Sequence, residues 1–508
     1  MKKIWSLFLC CAALTLAAAN PYEWKGKVTA WNDTDRLLFA DWERSSLPVP
    51  QQAQSGIYLR RLYLALTGKL PNPAEVVAFQ NNKDPQKYAK TVDKLLASPA
   101  SADYFAMKWA DMLRIKSEFP INLWPNAVQA YHRWIRESLA KNRPADQIVR
   151  DLLTASGSNF RNPPANFFRA VPDRTPTGIA ASTALTWLGM RQEDFAPDQF
   201  QKFSVLFSRI RYKSTNEWKE EIVYTDPNPH LLEGVMPDGT PFSVVAPGNE
   251  PRVVFADWLL DPKNPYFAKL MVNRLWQMLF GIGLVEPADH LASKDAVNPE
   301  LLDHLAKMFI KEKYNIRKTL RRMALSAAFR ASPVGTEKQA RHFASYPVHR
   351  LDAEVVIDIL SKLTDTYTSY VSVIPEPFTY LPPKTPAVQI ADGSITSSDL
   401  DIFGRPSRDT GVISERRNQV TPAQILYLSN SGNLFNSLRK FGGNLARTIP
   451  PQKRYDHLYL RLYSRYPTQE EYKILRNASG IKNNKPGGLS YWEVTWLLIN
   501  SKEFLFQH

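Results

Sequence analysis

One stretch of the sequence constrains the fold more than any other: a helix predicted between Asn264 and Gly281. Asn264 is a favourable N-cap, Pro265 suits the first helical position, where its missing N–H is not needed, and Gly281 is a natural stop. The residues between them are apolar on nearly every face. Such a helix must be covered on all sides, and this one is too short and too polar to span a membrane. The rest of the chain is therefore expected to pack around it.

A polar stripe interrupts this apolar surface. Lys269, Asn273 and Gln277 recur every four residues, with Arg274 beside them, so all four side chains lie along one side of the helix. Either they bind neighbouring loop carbonyls, since buried polar groups need partners, or they form one edge of a ligand site. We interpret the stripe as mainly structural and keep Asn273, Arg274, Trp276 and Gln277 as candidate ligand-binding residues.

Capped helical segments recur along the whole chain and predict a mainly α fold with two helical domains and long proline-rich loops. The first domain is predicted over residues 56–225 and the second over residues 253–508. Residues 226–252 are predicted to form a linker with a small β element, and strand-like patterns extend back to residue 211.

Two further segments are predicted to lack regular structure. Residues 20–55 are polar and are expected to form an extended lead on the surface. Residues 366–410 are rich in Pro, Ser and Thr and read as a long irregular stretch. Loops of that length are usually either functional or disordered, and the sequence leaves this choice open.

Two segments of the chain are similar to each other in sequence. Residues 60–76, RRLYLALTGKLPNPAEV, align without gaps to residues 456–472, DHLYLRLYSRYPTQEEY. Both segments read as a helix, a proline turn, a capping box and a second helix. The similarity indicates either a repeated helical hairpin or convergence on one common turn.

Residues 1–19, MKKIWSLFLCCAALTLAAA, have the features of a secretory signal: two lysines, an apolar core and an A-x-A cleavage site. Cys10 and Cys11 lie inside this segment and lack the small preceding residue that a lipoprotein signal requires, so no lipid anchor is expected. The mature chain would contain no cysteine, which excludes disulfides, thiolate catalysis and covalent c-type haem. The sequence therefore predicts a periplasmic or extracellular protein without a transmembrane segment.

The formal net charge of +15 favours anionic partners such as acidic glycans. No block of five or more Lys and Arg residues stands out, so the charge is expected to be dispersed over the surface. Nucleic acid is not an expected partner, because an exported chain without a recognisable binding motif has no reason to meet it.

Motifs for common chemistries are missing from the sequence. The chain contains no HExxH, no G-x-S-x-G and no glycine-rich phosphate loop. Asp289 and His290 directly follow the central helix and are weak candidate metal ligands, although a loop-anchoring pair is the preferred interpretation; no cofactor is predicted. Arg350, Arg405 and Arg416 suit bidentate binding of carboxylate, sulfate or phosphate, and they join the candidate ligand-binding residues if they converge with Trp276.

Several of these stretches resemble a known family. Residues 60–155, with LYLALTGKLPNPAEV and KLLASPASADYFAMKWADML, resemble the domain of unknown function 1549. Residues 253–506, with MVNRLWQMLFGIGLVEP, HRLDAE and FGRPSRDT, resemble the domain of unknown function 1553. The resemblance implies an exported protein of the planctomycete type, in which the two domains are fused, and it implies no particular reaction.

This chain departs from the family at one informative place. The first domain often carries a CxxCH-like motif after a helix such as 183–190, but here the sequence continues LGMRQEDFAPDQF without Cys or His. A haem role implied by the family therefore lacks its CxxCH ligands at this site.

Three functions follow as hypotheses. The first is a non-catalytic envelope protein that binds partner proteins or anionic polysaccharide. The second is a glycan-active enzyme with acid–base residues in the second domain, which needs two carboxylates facing one cleft. The third is an accessory to an envelope redox system whose own haem motif has been lost. The sequence leaves the oligomeric state open.

Overall fold

The structure is a computed structural model that describes residues 20–228, 230–245, 250–416, 419–478 and 489–508. The predicted signal segment, residues 1–19, lies outside the described residues. Helices dominate, and the strands form only small sheets, so the predicted mainly α fold is confirmed.

The first half of the chain is built from short helices that begin at proline or at a capping residue. Asn72 and Glu75 form the predicted capping box, for example, and Gly68 ends the preceding helix with φ 62°. The helices are α1 Asp33–Arg44, α2 Ser55–Thr67, α3 Pro73–Asn81, α4 Lys87–Leu96, α5 Pro99–Met112, α6 Pro125–Ala140, α7 Ala145–Thr154, α8 Pro176–Trp187 and α9 Pro197–Ser204, with 3-10 turns at Pro163–Phe168, Gln192–Asp194 and Val205–Phe207.

The second half continues in the same manner. Its helices are α10 Pro251–Leu260, α11 Pro265–Phe280, α12 Pro299–Lys311, α13 Ile316–Ala324, α14 Ala327–Arg330, α15 Glu337–Arg341, α16 Ala353–Thr364, α17 Ser398–Ile402, α18 Pro422–Asn430, α19 Gly432–Thr448, α20 Arg454–Leu462, α21 Gln469–Ala478, α22 Tyr491–Ile499 and α23 Lys502–Leu505, with 3-10 turns at Ala387–Gln389, Ile413–Glu415 and Pro451–Lys453.

The strands are short and antiparallel. Those between the two halves extend from Ile210 to Val245 and include the predicted β element. The strands are β1 Glu23–Lys27 paired with β2 Gln51–Ala53, β5 Glu221–Thr225 between β3 Gly157–Ser158 and β4 Ile210–Ser214, β6 Leu231–Val235 paired with β7 Pro241–Val245, and β8 His349–Arg350 paired with β9 Phe506–Gln507.

Helix α11 is the predicted central helix and has the predicted ends. The Asn264 side chain accepts a hydrogen bond from the N–H of Tyr266, and Gly281 ends the helix with φ 76°. Phe280, Trp276 and most other apolar residues of the helix are fully buried. Its neighbours include α12, α13, α10, α8 and α2, which come from both halves of the chain.

Residues 20–55 differ from the prediction of an extended lead. They form strand β1, helix α1 and strand β2, and the side chains of Leu38 and Trp42 are buried. The Trp42 indole N–H donates to the carbonyl of His342, 2.9 Å away. The prediction was wrong for this segment because its few apolar residues lie on one face of α1 and pack against the second half, a contact that local polarity does not reveal.

The irregular stretch at residues 366–410 is packed against the helices. Val388, Ile390, Leu400 and Phe403 are buried, although most of the stretch has no regular structure. Proline fixes the path of the backbone here, and a few apolar side chains anchor it.

The two segments that are similar in sequence form two similar helical hairpins, α2–α3 and α20–α21. The turn residues at matched positions, Gly68 and Ser464, both have positive φ, at 62° and 58°. Thr468 and Glu471 form the same reciprocal hydrogen bonds as Asn72 and Glu75. The repeated hairpin is therefore confirmed as a structure; whether it arose by duplication or by convergence stays open.

Candidate functional site

The candidate residues on α11 are used to hold the protein together. The Asn273 amide donates to the carbonyls of Val285 and Ala288, at 3.0 and 3.2 Å, and its oxygen accepts from the N–H of Val285. This side chain fixes the loop that follows α11. Asn273 therefore binds neighbouring loop carbonyls, as the structural interpretation proposes, whereas Lys269 of the same stripe pairs with Asp303 at 2.6 Å.

Arg274 joins α11 to two other parts of the chain. Its Nε donates to Asp289 Oδ1 at 2.9 Å, and its Nη1 and Nη2 donate to the carbonyls of Thr186 and Leu185. The other Asp289 oxygen accepts from the N–H of Ile413 at 2.6 Å. Arg274 and Asp289 are both buried, so their charges compensate each other inside the protein.

The remaining two candidates on α11 face different surroundings. Trp276 is fully buried and stacks on Phe280 at a centroid distance of 4.3 Å, so it belongs to the aromatic core. Gln277 is half-buried, and its side-chain oxygen has no hydrogen-bond partner among the described residues. The ring of Trp276 also meets that of Phe343, at a centroid distance of 5.1 Å.

Arg405 and Arg416 do converge, together with Arg408, on a buried cluster of carboxylates that we call the ionic core: Asp111, Asp352, Glu354, Lys108, Arg405, Arg408 and Arg416. Arg416 donates to Asp111 at 2.7 Å and makes a two-pronged contact with Glu354 at 2.8 and 3.2 Å. Arg408 binds the second oxygen of Asp111 at 3.0 Å, and Arg405 lies 3.4 Å from Glu354.

The ionic core extends from the first half of the chain into the second. Lys108, on α5, lies 2.7 Å from Asp352, which also accepts a hydrogen bond from the Tyr104 hydroxyl at 3.0 Å. Asp111 lies on the same helix. Helix α5 is thereby fixed to the start of α16 by charge-assisted hydrogen bonds, which are stronger than neutral ones.

The cations keep the carboxylates of the ionic core ionised. Burial alone would raise the pKa of Glu354, but the Arg416 guanidinium outweighs it and the pKa falls to about 2. Lys108 and Arg416 likewise hold the pKa of Asp352 well below its usual range, against the effect of burial. Neither group carries a proton at neutral pH, so neither can act there as a general acid.

Arg350 is buried beside Asp352 and Glu354 and contacts the residues that follow α17. It donates to the carbonyl of Phe403 at 2.5 Å, and its guanidinium carbon lies 5.9 Å from the centre of the Phe403 ring. Its role in the structure is to hold the residues that follow α17.

The weak metal candidates do not gather a ligand set. Asp289 is paired with Arg274, and the Nε2 atom of His290 lies 2.8 Å from Asp194. In the described part of the chain, no group of three or more His, Cys, Asp and Glu residues is arranged to hold a metal ion.

One Ser–His–Asp grouping occurs but lacks the geometry of a nucleophilic triad. Ser45 Oγ and Asp41 Oδ2 lie 3.3 and 2.9 Å from His342, and both contact the same ring nitrogen, Nδ1. A triad needs the nucleophile and the acid on opposite ring nitrogens, so that the histidine can relay a proton.

A surface that the sequence analysis did not single out carries exposed cations on a helix without acidic residues. Helix α19 contains no acidic residue, and Arg439, Lys440 and Arg447 are all exposed on it. Lys453 follows in the 3-10 turn before α20, and Arg454 is the first residue of α20. We call these five residues the basic face. None of the described carboxylates forms an ion pair with any of them.

Aromatic rings support two cations of the basic face. The guanidinium of Arg439 lies 5.0 Å from the centre of the Trp492 ring, and that of Arg454 lies 4.8 Å from the centre of the Tyr491 ring. Arg454 also donates to the carbonyls of Ile449 and Ala446, which fixes the end of α19 against the start of α20. These contacts position the charges without neutralising them.

The basic face was missed because its cations are spread along the sequence. From Gly432 to Leu462, Asp456 is the only acidic residue, whereas six positions are Lys or Arg. A search for acid-free windows, instead of contiguous basic blocks, would have found it. The expectation of dispersed charge therefore needs correction at this helix.

The comparisons with known proteins can now be set beside this geometry. Residues 33–195 match the family described as PSCyt2, a protein of unknown function (DUF1549), and residues 251–479 match PSD1, a protein of unknown function (DUF1553). The chain therefore belongs to the proteins that fuse these two domains in this order, as the resemblance implied. Residues 196–250 lie between the two matches. Neither a curated protein nor a solved structure matched the chain.

The structure also bears on the relation of this protein to membranes. Among the residues that it describes, no helix combines the length and the apolar character needed to cross a bilayer.

Proposed function

We propose that this protein is an exported, non-catalytic binding protein of the cell envelope, and that its ligand is an acidic polysaccharide held on the basic face. The observation that carries the proposal is the absence of any acidic residue on α19, where Arg439, Lys440 and Arg447 are exposed. Exposed cations without carboxylate partners attract anionic polymers, because their charge is not cancelled locally.

The arrangement of the basic face suits a polymer better than a small ion. Arg439 and Arg447 are two turns apart on one side of α19, about 12 Å at 1.5 Å per residue. Lys453 and Arg454 continue the charge beyond the end of the helix. A chain that carries repeated carboxylate or sulfate groups can contact several of these cations at once, and such contacts reinforce one another.

Gly443 leaves room for this contact. It is exposed in the middle of α19, and a Cβ atom placed there would meet nothing within 4 Å. Glycine in a helix interior costs about 1 kcal/mol relative to alanine, and packing against the protein does not compensate this cost here. The gap lies between the cations at 439, 440 and 447, where a ligand can approach the helix backbone closely.

A non-catalytic role is supported by the state of the carboxylates. The second domain was the place to look for acid–base residues, and its best pair there, Asp352 and Glu354, is buried and bound by Lys108 and Arg416. Carboxylates held ionised in this way stabilise the fold, and a glycosidase needs one carboxyl group with a raised pKa. Burial raises the pKa of Asp358, but both of its oxygens accept hydrogen bonds from the backbone N–H groups of Ala387 and Val388, at 2.6 and 3.2 Å, so this side chain also holds the fold.

We infer export from the signal-like sequence of residues 1–19. Export determines which anionic polymers the protein can meet. An exported protein meets acidic envelope polysaccharides, whereas nucleic acid is not an expected partner. Partner proteins with acidic surfaces are the alternative ligands of the same chemistry, and failure of polygalacturonate to bind would favour them.

The proposal is tested by titrating the mature chain with polygalacturonate, with neutral dextran as the control polymer, at increasing NaCl. We expect polygalacturonate to bind and dextran to leave the basic face empty. Because salt screens exposed charges, the affinity should fall by about tenfold or more between 0.05 and 0.5 M NaCl.

A pair of charge-matched variants locates the site. R439Q/K440Q/R447Q removes three cations from the basic face, and K307Q/K311Q/K318Q removes three exposed lysines elsewhere. The first variant should lose about tenfold or more in affinity, and the second should lose much less. Equal losses would mean that net charge alone drives binding, and no binding of polygalacturonate at low salt would refute the proposal.

A further inference from the structure

A groove of about 360 Å³ lies between the amino-terminal strand β1 and the turn that joins α20 to α21. Trp24 lines it from β1, and Tyr466 lines it from the turn. Gln54, Ser55 and Gln80 complete the part of the lining that offers hydrogen bonds. The volume is at the lower end of the range typical of small-molecule sites, about 300–1,000 Å³.

The groove is formed where the two repeated hairpins meet. A Cβ atom at Gly56, in the first turn of α2, would lie 2.1 Å from the carbonyl oxygen of Ser464 in the turn of the second hairpin. Only glycine permits this approach. Arg60 adds a hydrogen bond from α2 to the carbonyl of Leu462, 3.3 Å away. The walls of the groove are thus held by contacts between α2 and backbone carbonyls of the second hairpin.

The charge in the groove is compensated. Arg465 lines it, and its guanidinium donates to Glu471, at 2.8 Å for both oxygens, and to Glu503, at 2.7 Å for both oxygens. The side chain of Arg465 is buried, so these contacts are shielded from solvent. An anionic ligand would find no free cation here, in contrast to the basic face.

The polar groups that remain are uncharged and free. In the part of the chain that the structure describes, no hydrogen bond engages the side-chain amide of Gln54 or Gln80, or the hydroxyl of Ser55. Each amide both donates and accepts, which is the pattern that sugar hydroxyl groups complement.

Two aromatic rings on the groove face solvent. Trp24 is 63% exposed and Tyr466 is 45% exposed, whereas most aromatic side chains of this protein are buried or half-buried. The face of an aromatic ring is weakly negative and the C–H groups on the face of a pyranose ring are weakly positive, so the two stack favourably. Exposed rings beside free amides therefore fit a sugar better than they fit an ion.

We infer that this groove binds an uncharged pyranose unit, with a sugar face on Trp24 or Tyr466 and its hydroxyl groups on Gln54, Gln80 and Ser55. The site is separate from the basic face and does not depend on it. The groove recognises its ligand without ionic contacts. It can therefore select one type of sugar over another, which charge attraction on the basic face cannot do.

The test uses the mature chain with cellobiose, maltose and N,N′-diacetylchitobiose as probes, followed by ligand-detected NMR and tryptophan fluorescence. At least one disaccharide should bind with millimolar affinity, and the affinity should not change between 0.05 and 0.5 M NaCl. W24A and Q80A should each weaken binding by about fivefold or more.

W218A is the matched control, because Trp218 is 68% exposed and does not line the groove. It should bind as the wild type does, and so should R439Q/K440Q/R447Q, which tests the basic face separately. The inference is overturned if none of the three probes binds at 50 mM, if W24A and Q80A bind as tightly as W218A, or if the groove captures a peptide and no sugar.

Discussion

Replacing Arg416 by methionine tests what the ionic core contributes. Arg416 lies 2.7 Å from Asp111 and 2.8 Å from Glu354, and all three side chains are buried. R416M keeps most of the side-chain volume and removes the charge, so both carboxylates lose their principal partner. Breaking one buried pair in this way costs about 3–5 kcal/mol. The entropy of unfolding is about 2.1 cal/mol/K per residue, or roughly 1 kcal/mol/K for a chain of this length, so the thermal midpoint should fall by roughly 3–5 °C at pH 7.

The pH dependence of this loss identifies its cause. In the wild type the pKa of Glu354 is lowered from 4.5 to about 2. The stability linked to this group is therefore fully present above pH 4.5 and is lost as the pH falls towards 2. In R416M, burial without Arg416 should raise the pKa of Glu354. Protonation at low pH then removes the unpaired buried charge and restores part of the stability of the variant. The gap in midpoint between wild type and R416M should narrow as the pH falls from 7 to 4.

Two further variants serve as controls for R416M in thermal unfolding followed by circular dichroism. R36M removes an exposed arginine that pairs with Asp33 at 3.2 Å, and it should leave the midpoint nearly unchanged. Adding E354Q to R416M removes the carboxylate that has lost its partner, so part of the lost stability should return. The reasoning is refuted if R416M is as stable as R36M, or if the loss is the same at pH 4 and pH 7.

Three other substitutions give expected outcomes in the same unfolding assay. G443A should raise the free energy of unfolding by about 0.5–1 kcal/mol, because a Cβ atom at this position meets nothing. G442A should lower it, because its Cβ atom would lie 2.8 Å from Trp492. A change of the same sign in both variants would contradict this packing. N273L should cost roughly 2–4 kcal/mol, since it leaves the N–H of Val285 buried without a partner, and a loss below 1 kcal/mol would show that the loop adapts. Burial raises the pKa of Asp358 to about 7, so the stability linked to its neutral form is present below pH 4 and is lost as the pH rises through 7. D358N should lack this decline in stability. Parallel stability profiles of D358N and the wild type against pH would contradict the assignment.

Local signals in the sequence were sufficient for most helices and their ends, α1 being the exception. Asn264, Pro265 and Gly281 act within one turn of the backbone that they control, so their effect does not depend on the rest of the fold. The capping boxes at Asn72 and Thr468 formed for the same reason. The mainly α fold followed from the number of such signals.

Contacts between distant segments could not be predicted in the same way. Trp42 lies in a polar segment, and its indole N–H meets a carbonyl 300 residues away. The sequence analysis considered convergence of Arg405 and Arg416 only together with Trp276, and the Arg416 partner Asp111 comes from the first half of the chain. Pairing over such separations depends on tertiary packing, which one sequence without homologues does not show.

The candidate ligand residues illustrate the same limit. Asn273 and Arg274 have the chemistry to bind a ligand, and the sequence cannot say that loop carbonyls and Asp289 occupy their donors. The basic face and the groove at Trp24 depend instead on exposure, which is a property of the folded surface. Exposure alone separates Arg439 from the buried arginines of the ionic core.

The central claim is that the protein binds an acidic polysaccharide and leaves it intact. The most direct measurement is to incubate the mature chain with acidic polysaccharide purified from the envelope of the producing cells, and to measure both the bound fraction and the length of the recovered polymer. The account predicts salt-sensitive binding that R439Q/K440Q/R447Q loses, with a recovered polymer of unchanged length. A shortened polymer, or full binding by that variant, would contradict it.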